Sequence, residues 1–243
     1  MMFNMSLSRL VVLGLLVPVI SSCQVALQTL EAREADQSLT LGRLSAKYES
    51  GGRGSEVVST GKGDPGGVSY GTYQLASALG NADRFVEKHF ASTFKGLKGG
   101  TPEFTEVWKK TVAKDPKEFH RIEHAYIKET HYDPQAKLIE KELGIDLDKR
   151  SAALQDVVWS CAVHHGPNSK LILTAAKNVP TTIDIKSPKS DEDLIKAIYA
   201  ERGRMDDQGK LVYFQRVADS LKPSLTNRFK NELTDALKML QSK

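Results

Sequence analysis

The sequence predicts a mainly helical fold of the α+β kind, a small β-hairpin lobe beside a larger helical lobe, and three observations predict it. Eight glycines crowd residues 51–71 between short runs of Val, Ser, Thr and Tyr, the pattern of tight hairpins. After Tyr73 apolar residues recur at helical spacing to the end of the chain. Residues 152–163 are apolar nearly all round, which marks a central buried helix.

Taken in order, residues 1–22 read as an export signal. One positive charge, Arg9, precedes an apolar stretch from Leu10 to Ile20, which is too short for a transmembrane helix of about 20 apolar residues. The stretch ends in Ile20-Ser21-Ser22-Cys23, which is similar to a bacterial lipobox, so Cys23 is expected to carry the lipid of an exported lipoprotein. An outer-membrane position facing the periplasm would follow in a diderm cell, and the cell surface otherwise. Residues 23–40 form a spacer that runs into a helix ending near Glu49, and residues 41–243 form one catalytic domain, long enough to bury its own core.

Further helices are predicted over 82–90, 102–113, 116–130, 134–142, 149–164, 169–178, 191–202, 211–221 and 225–240. Several carry written start signals: Thr101-Pro102 and Asp115-Pro116 place a capping side chain before a proline, and Ser190 precedes an acidic first turn. Net charge is only +4 and spread along the chain, which gives no footprint for nucleic acid. Of the two cysteines, Cys23 is assigned to lipid, so Cys161 has no partner and the fold must hold without a disulfide.

The chemistry-bearing residues gather where helix meets glycine-rich lobe. Glu49 ends the first helix in Tyr48-Glu49-Ser50-Gly51-Gly52, and Asp64 sits in the hairpin turn Gly63-Asp64-Pro65-Gly66-Gly67. Two carboxyls across a cleft suit glycosidic cleavage, one protonated to donate to the leaving oxygen and one ionised. The negative end of the helix dipole and partial burial assign Glu49 as the acid. The polar turn assigns Asp64 as the base, with Ser69 holding the water.

Glu49-Ser50-Gly51-Gly52 followed by Gly71-Thr72-Tyr73-Gln74 resembles the signature of the lysozyme superfamily, with its goose-type lysozymes and lytic transglycosylases. The stretch from Gly63 through Asp64 and Ser69 to Gly71 is similar to that of the chitosanase branch, and Asp64–Gln74 also looks like phage-lysin-type cell-wall hydrolases. The resemblance implies a lysozyme-like two-lobed fold and a glycoside hydrolase that cleaves β-1,4 links in peptidoglycan without cofactor or metal. A lytic transglycosylase using Glu49 alone and a chitosanase are the alternatives within it. A non-catalytic glycan-binding protein is an alternative outside it. Tyr70, Thr72, Tyr73 and Gln74 would then meet sugars, although the tyrosines could equally close the small lobe. His165 could contact substrate or cap its helix. Asp156, Glu201 and Arg202 could form an Arg–carboxylate network behind the cleft.

Two rival constellations remain. His120-Arg121-Ile122-Glu123-His124 matches the H-x-x-E-H zinc-peptidase pattern, but that class needs a sheet that this sequence lacks. Cys161 with His164 and His165 could form a thiol–imidazole or metal cluster. A thiol inside an apolar helix reads better as a buried, inert one.

Overall fold

The computed structural model describes residues 41–62, 66–215 and 219–242. Cys23, the export segment and the spacer lie outside the described residues, as does Asp64. Among the described residues the chain is mainly α, and no helix is long and apolar enough to cross a membrane.

Helix α1 spans Arg43–Ser50. It starts abruptly because Gly42 has φ +79°, and its first N–H groups are satisfied by a distant side chain. Asp156 accepts from the backbone N–H of Gly42, of Arg43 at 3.0 Å and of Leu44 at 2.9 Å. A carboxylate at this end also meets the positive pole of the helix. Gly51, in the left-handed region, ends α1.

The described residues of the glycine-rich segment and those just after it form one small antiparallel pair. Strands β1 (Ser69–Tyr70) and β2 (Leu75–Ala76) pair Ser69 with Ala76 and Tyr70 with Leu75, and Val58 bridges to Tyr70. The connecting turn has positive φ at Gly71 (+76°) and Gln74 (+52°).

Helix α2 covers Asn81–Phe90, α3 Pro102–Lys114 and α4 Pro116–Ile127. The two proline starts act as the sequence says. Thr101 accepts from Phe104 N–H at 3.3 Å, and Asp115 from Glu118 N–H at 3.0 Å. The break expected before Pro134 is a single wide turn over Lys128–Tyr132, through which α4 runs into α5 (Asp133–Leu143). Proline supplies no N–H to the preceding turn, and such a turn accommodates the lost bond without ending the helix.

Helix α6 (Ala152–His165) is the central one, buried from Ala153 to Ala162 except at Gln155. Around it lie α7 (Leu171–Lys177), α8 (Asp191–Arg202) and α9 (Lys222–Gln241). Of the predicted helix over 211–221, the described part forms only a single tight turn at Asp219–Leu221. Asp206 accepts from Gln208 N–H at 3.0 Å and Lys210 N–H at 2.8 Å, and Met205 bridges to Leu211. This Gly209 turn commits Leu211, which is fully buried, to a hairpin.

Candidate functional site

Glu49 does not stand alone on the last turn of α1. Arg228 Nη2 of α9 lies 2.5 Å from its Oε1, and Arg228 Nε lies 2.6 Å from Glu232 Oε1. Glu232 Oε2 accepts from Arg202 Nη1 at 2.6 Å, Ser160 Oγ at 3.0 Å and Tyr199 OH at 3.2 Å. Arg202 reaches on to His165 Nε2 at 3.3 Å and His164 Nδ1 at 3.1 Å. A buried charge relay therefore ties α1, α9, α8 and α6 together.

Burial pushes the Glu232 carboxyl up, but Arg202 and Arg228 outweigh it and hold the group below its usual range. Burial and the neighbouring guanidiniums push His165 down to about 3 and His164 well below its ordinary value, so both imidazoles are neutral. His165 belongs to this cluster, packed on Phe214 and Tyr213.

Arg202 does join a carboxylate network, yet its partner is Glu232. Asp156 is occupied at the start of α1, and Glu201 pairs with Arg204 at 2.9 Å and accepts from Tyr213 OH at 2.5 Å. Burial lifts Asp156 to about 6 even though three N–H groups oppose that shift.

The segment 69–74 is placed differently from a sugar-stacking platform. Tyr70 is fully buried against Phe104 and Trp108, with its OH 2.7 Å from Thr105 Oγ1. Tyr73 is buried against Trp159, with its OH 2.7 Å from His124 Nδ1. Both rings are core residues, because apolar faces of this size gain more from packing than a two-stranded sheet could offer in solvent. Gln74 turns back on the chain, its Nε2 donating to Gly71 O at 2.9 Å. Ser69 is buried, with its N–H donating to Ser59 Oγ at 2.8 Å.

Thr72 opens onto a second constellation that sequence reasoning saw only as a zinc pattern. Glu123, fully buried on α4, accepts from Ser55 Oγ at 2.5 Å and from Tyr73 N–H at 3.3 Å. Ser55 Oγ lies 3.3 Å from Thr72 Oγ1, and His120 Nδ1 lies 3.3 Å from Thr72 Oγ1 and 3.5 Å from Ser55 Oγ. Burial lifts Glu123 to about 7, with the hydroxyl and N–H donors pulling the other way. Burial alone lowers His120.

This geometry corrects the metal reading. His124 Nδ1 is engaged by Tyr73, Glu123 is enclosed by hydroxyl and N–H donors, and no three metal-ligating side chains converge among the described residues. Cys161 is buried, and burial raises its thiol to about 11, which leaves it unreactive.

Glu232 and Arg228 were missed from sequence, although a signal existed. Glu232 falls on the apolar stripe of α9 with Phe229 and Ala236, as Glu123 does on that of α4 with Phe119, Tyr126 and Ile127. A carboxyl on a buried stripe must find partners.

Comparison with known proteins decides the family. The model of the type VI secretion system spike protein VgrG3-like C-terminal family matches residues 41–233. The chain belongs to that family. It is also 42% identical over 136 residues to the type VI secretion system spike protein VgrG3 of Vibrio cholerae serotype O1. That match covers 56% of this chain and 13% of the relative, so the chain corresponds to a small part of that protein.

Membership in the VgrG3-like C-terminal family overturns the resemblance read from Glu49–Gln74: the match is to a spike-protein domain and not to the lysozyme superfamily. The glycosidase assignment fell with it, along with the transglycosylase, chitosanase and zinc-peptidase alternatives and the lysozyme-like and lipoprotein descriptions.

Proposed function

We propose that this chain acts in the cell envelope as a type VI spike C-terminal-type domain that engages peptidoglycan or a related amino-sugar polymer. The observation that carries the reading is the family match, which runs through nearly the whole described domain. The Vibrio cholerae relative is named a type VI secretion system spike protein, which supports the spike half of this reading.

Two features support a polymer-facing surface. The end of α1 and the glycine-rich segment carry polar and small residues over a rigid base, and the relay through Arg228, Glu232 and Arg202 fixes that end of α1 to the helical body. A two-lobed arrangement, with the strand pair β1–β2 in the small lobe, belongs to this proposal.

Two measurements test it. The chain should co-sediment with insoluble peptidoglycan sacculi and should reach the medium of a type VI-competent bacterium only while the secretion sheath can contract. No enrichment on sacculi, or release that ignores the sheath, would reject the corresponding half of the reading.

A further inference from the structure

Five carboxyl side chains are buried among the described residues: Glu123, Asp156, Asp191, Glu201 and Glu232. Four have a full positive partner or a helix N-terminus. Asp191 pairs with Arg150 at 2.6 Å, Glu201 with Arg204, Glu232 with two arginines, and Asp156 with three N–H groups of α1. Among the described residues Glu123 forms no ion pair with a lysine or arginine; His120 Nδ1 lies 4.0 Å from it, and burial disfavours the charged form of that imidazole.

A cavity of about 440 Å³ is lined by Ser55, Thr72 and His120, the side chains that stand around this carboxyl. At its base Ser55 Oγ, Thr72 Oγ1 and His120 Nδ1 form a nearly equilateral triangle with sides of 3.3–3.5 Å. Ser55 gives its hydrogen to Glu123, and the Thr72 hydroxyl is also bonded to that carboxyl, so both oxygens keep lone pairs for the cavity. In the free protein Nδ1–H of a neutral His120 donates to these two oxygens; the third acceptor arises when a bound cation selects the tautomer with the proton on Nε2. Ala46, Val112 and Pro116 make apolar walls.

Three acceptors in a triangle, backed by a carboxyl without a counter-ion and walled by apolar side chains, match one chemistry. We infer that this cavity is a binding site for a primary ammonium group on a short alkyl stem. The three N–H bonds of the ammonium meet Ser55, Thr72 and His120, its charge compensates Glu123, and the stem lies against Val112 and Pro116. The other charged groups at the cavity, Arg53 and Glu56, are of opposite sign, and Arg53 Nε is held by Ser50 O at 2.9 Å. Tyr73, which also donates its N–H to Glu123, His124, whose ring lies 6.3 Å from that of His120, and Asp156 beyond Tyr73 on α6 are further titratable groups of this region.

Binding and ionisation of Glu123 are then linked. Below about pH 7 the carboxyl must release its proton for the cation to bind well, so affinity rises with pH and levels off above that value.

Calorimetric titration of the full chain with n-butylammonium tests this, with n-butanol as the uncharged control and tetramethylammonium as a cation without N–H donors. Expected are binding by n-butylammonium at least tenfold tighter than by either control, close to one proton released per ligand at pH 6, and amide shifts centred on Ser55, Thr72 and His120. Glu123→Gln should weaken binding at least tenfold and abolish its pH dependence. Proton release by the native chain carries the test if that variant fails to fold. Equal binding of either control, no proton release, or shifts centred elsewhere would overturn the site.

Discussion

Glu123 and Glu232 are both fully buried on the apolar stripe of a helix, yet they are pushed in opposite directions. Glu232 lies between two guanidiniums and is held below its usual range, whereas Glu123 meets only hydroxyl and N–H donors and rises to about 7. The pair shows that burial by itself does not set the state of a carboxyl. Desolvation penalises both; the donors around Glu123 do not offset it, whereas two guanidiniums at contact distance reverse the sign at Glu232.

The comparison breaks most severely at Arg202. Arg202→Met should destabilise the domain by about 3–5 kcal/mol in urea unfolding, because it leaves Glu232 buried with one cation in place of two. A loss below about 1 kcal/mol would show that Arg228 alone suffices.

The next effect is on pH dependence, and the two sites have opposite signs. Glu123 has a folded value raised from 4.5 to about 7, so its contribution is full below about pH 4.5 and is lost as pH rises through 7. That shift corresponds to about 3 kcal/mol, on the order of 1.4 kcal/mol per pH unit. Glu232 has a lowered folded value, so its contribution is present above the unfolded value near 4.5 and lost as pH falls through the folded one. Glu123→Gln should flatten the alkaline limb of a stability–pH profile, leaving the part due to Asp156, while the acid limb stays. An unchanged alkaline limb would remove the raised carboxyl from the account.

Asp156 stands between the two, since it is buried and partnered by backbone dipoles. Asp156→Ala strips three N–H groups of α1 of their acceptor and should cost about 2 kcal/mol, with hydrogen exchange speeding first at Arg43 and Leu44. The smallest effect is expected at the surface. Glu106→Gln, which breaks an exposed pair with Lys110, should leave the unfolding midpoint within experimental scatter.

Local features of this fold were legible from the chain. Thr101-Pro102 and Asp115-Pro116 open α3 and α4 because a cap reaches only three residues forward, so both partners lie in one short string. The apolar run of α6 likewise announced its own burial. The stretch 211–221 was misread because the Asp206 turn, upstream of it, competes for Leu211.

The candidate site was legible only as an inventory of residue types. Glu49, Glu123 and His120 stood out as chemistry-bearing residues, but their roles depended on partners that no spacing reveals. Arg228 meets Glu49 across 179 positions, and Ser55 meets Glu123 across 68. Tyr70 and Tyr73 could be read as platform or as core, and packing against Trp108 and Trp159 made them core.

By itself the sequence determined the helical class, the starts of α3 and α4 and the buried centre, since backbone sterics and side-chain periodicity act over a few residues. Tertiary structure alone decided which buried carboxyls meet a guanidinium and which one meets only hydroxyl and N–H donors, because a charge is settled by the nearest opposite charge in space, wherever in the chain it originates.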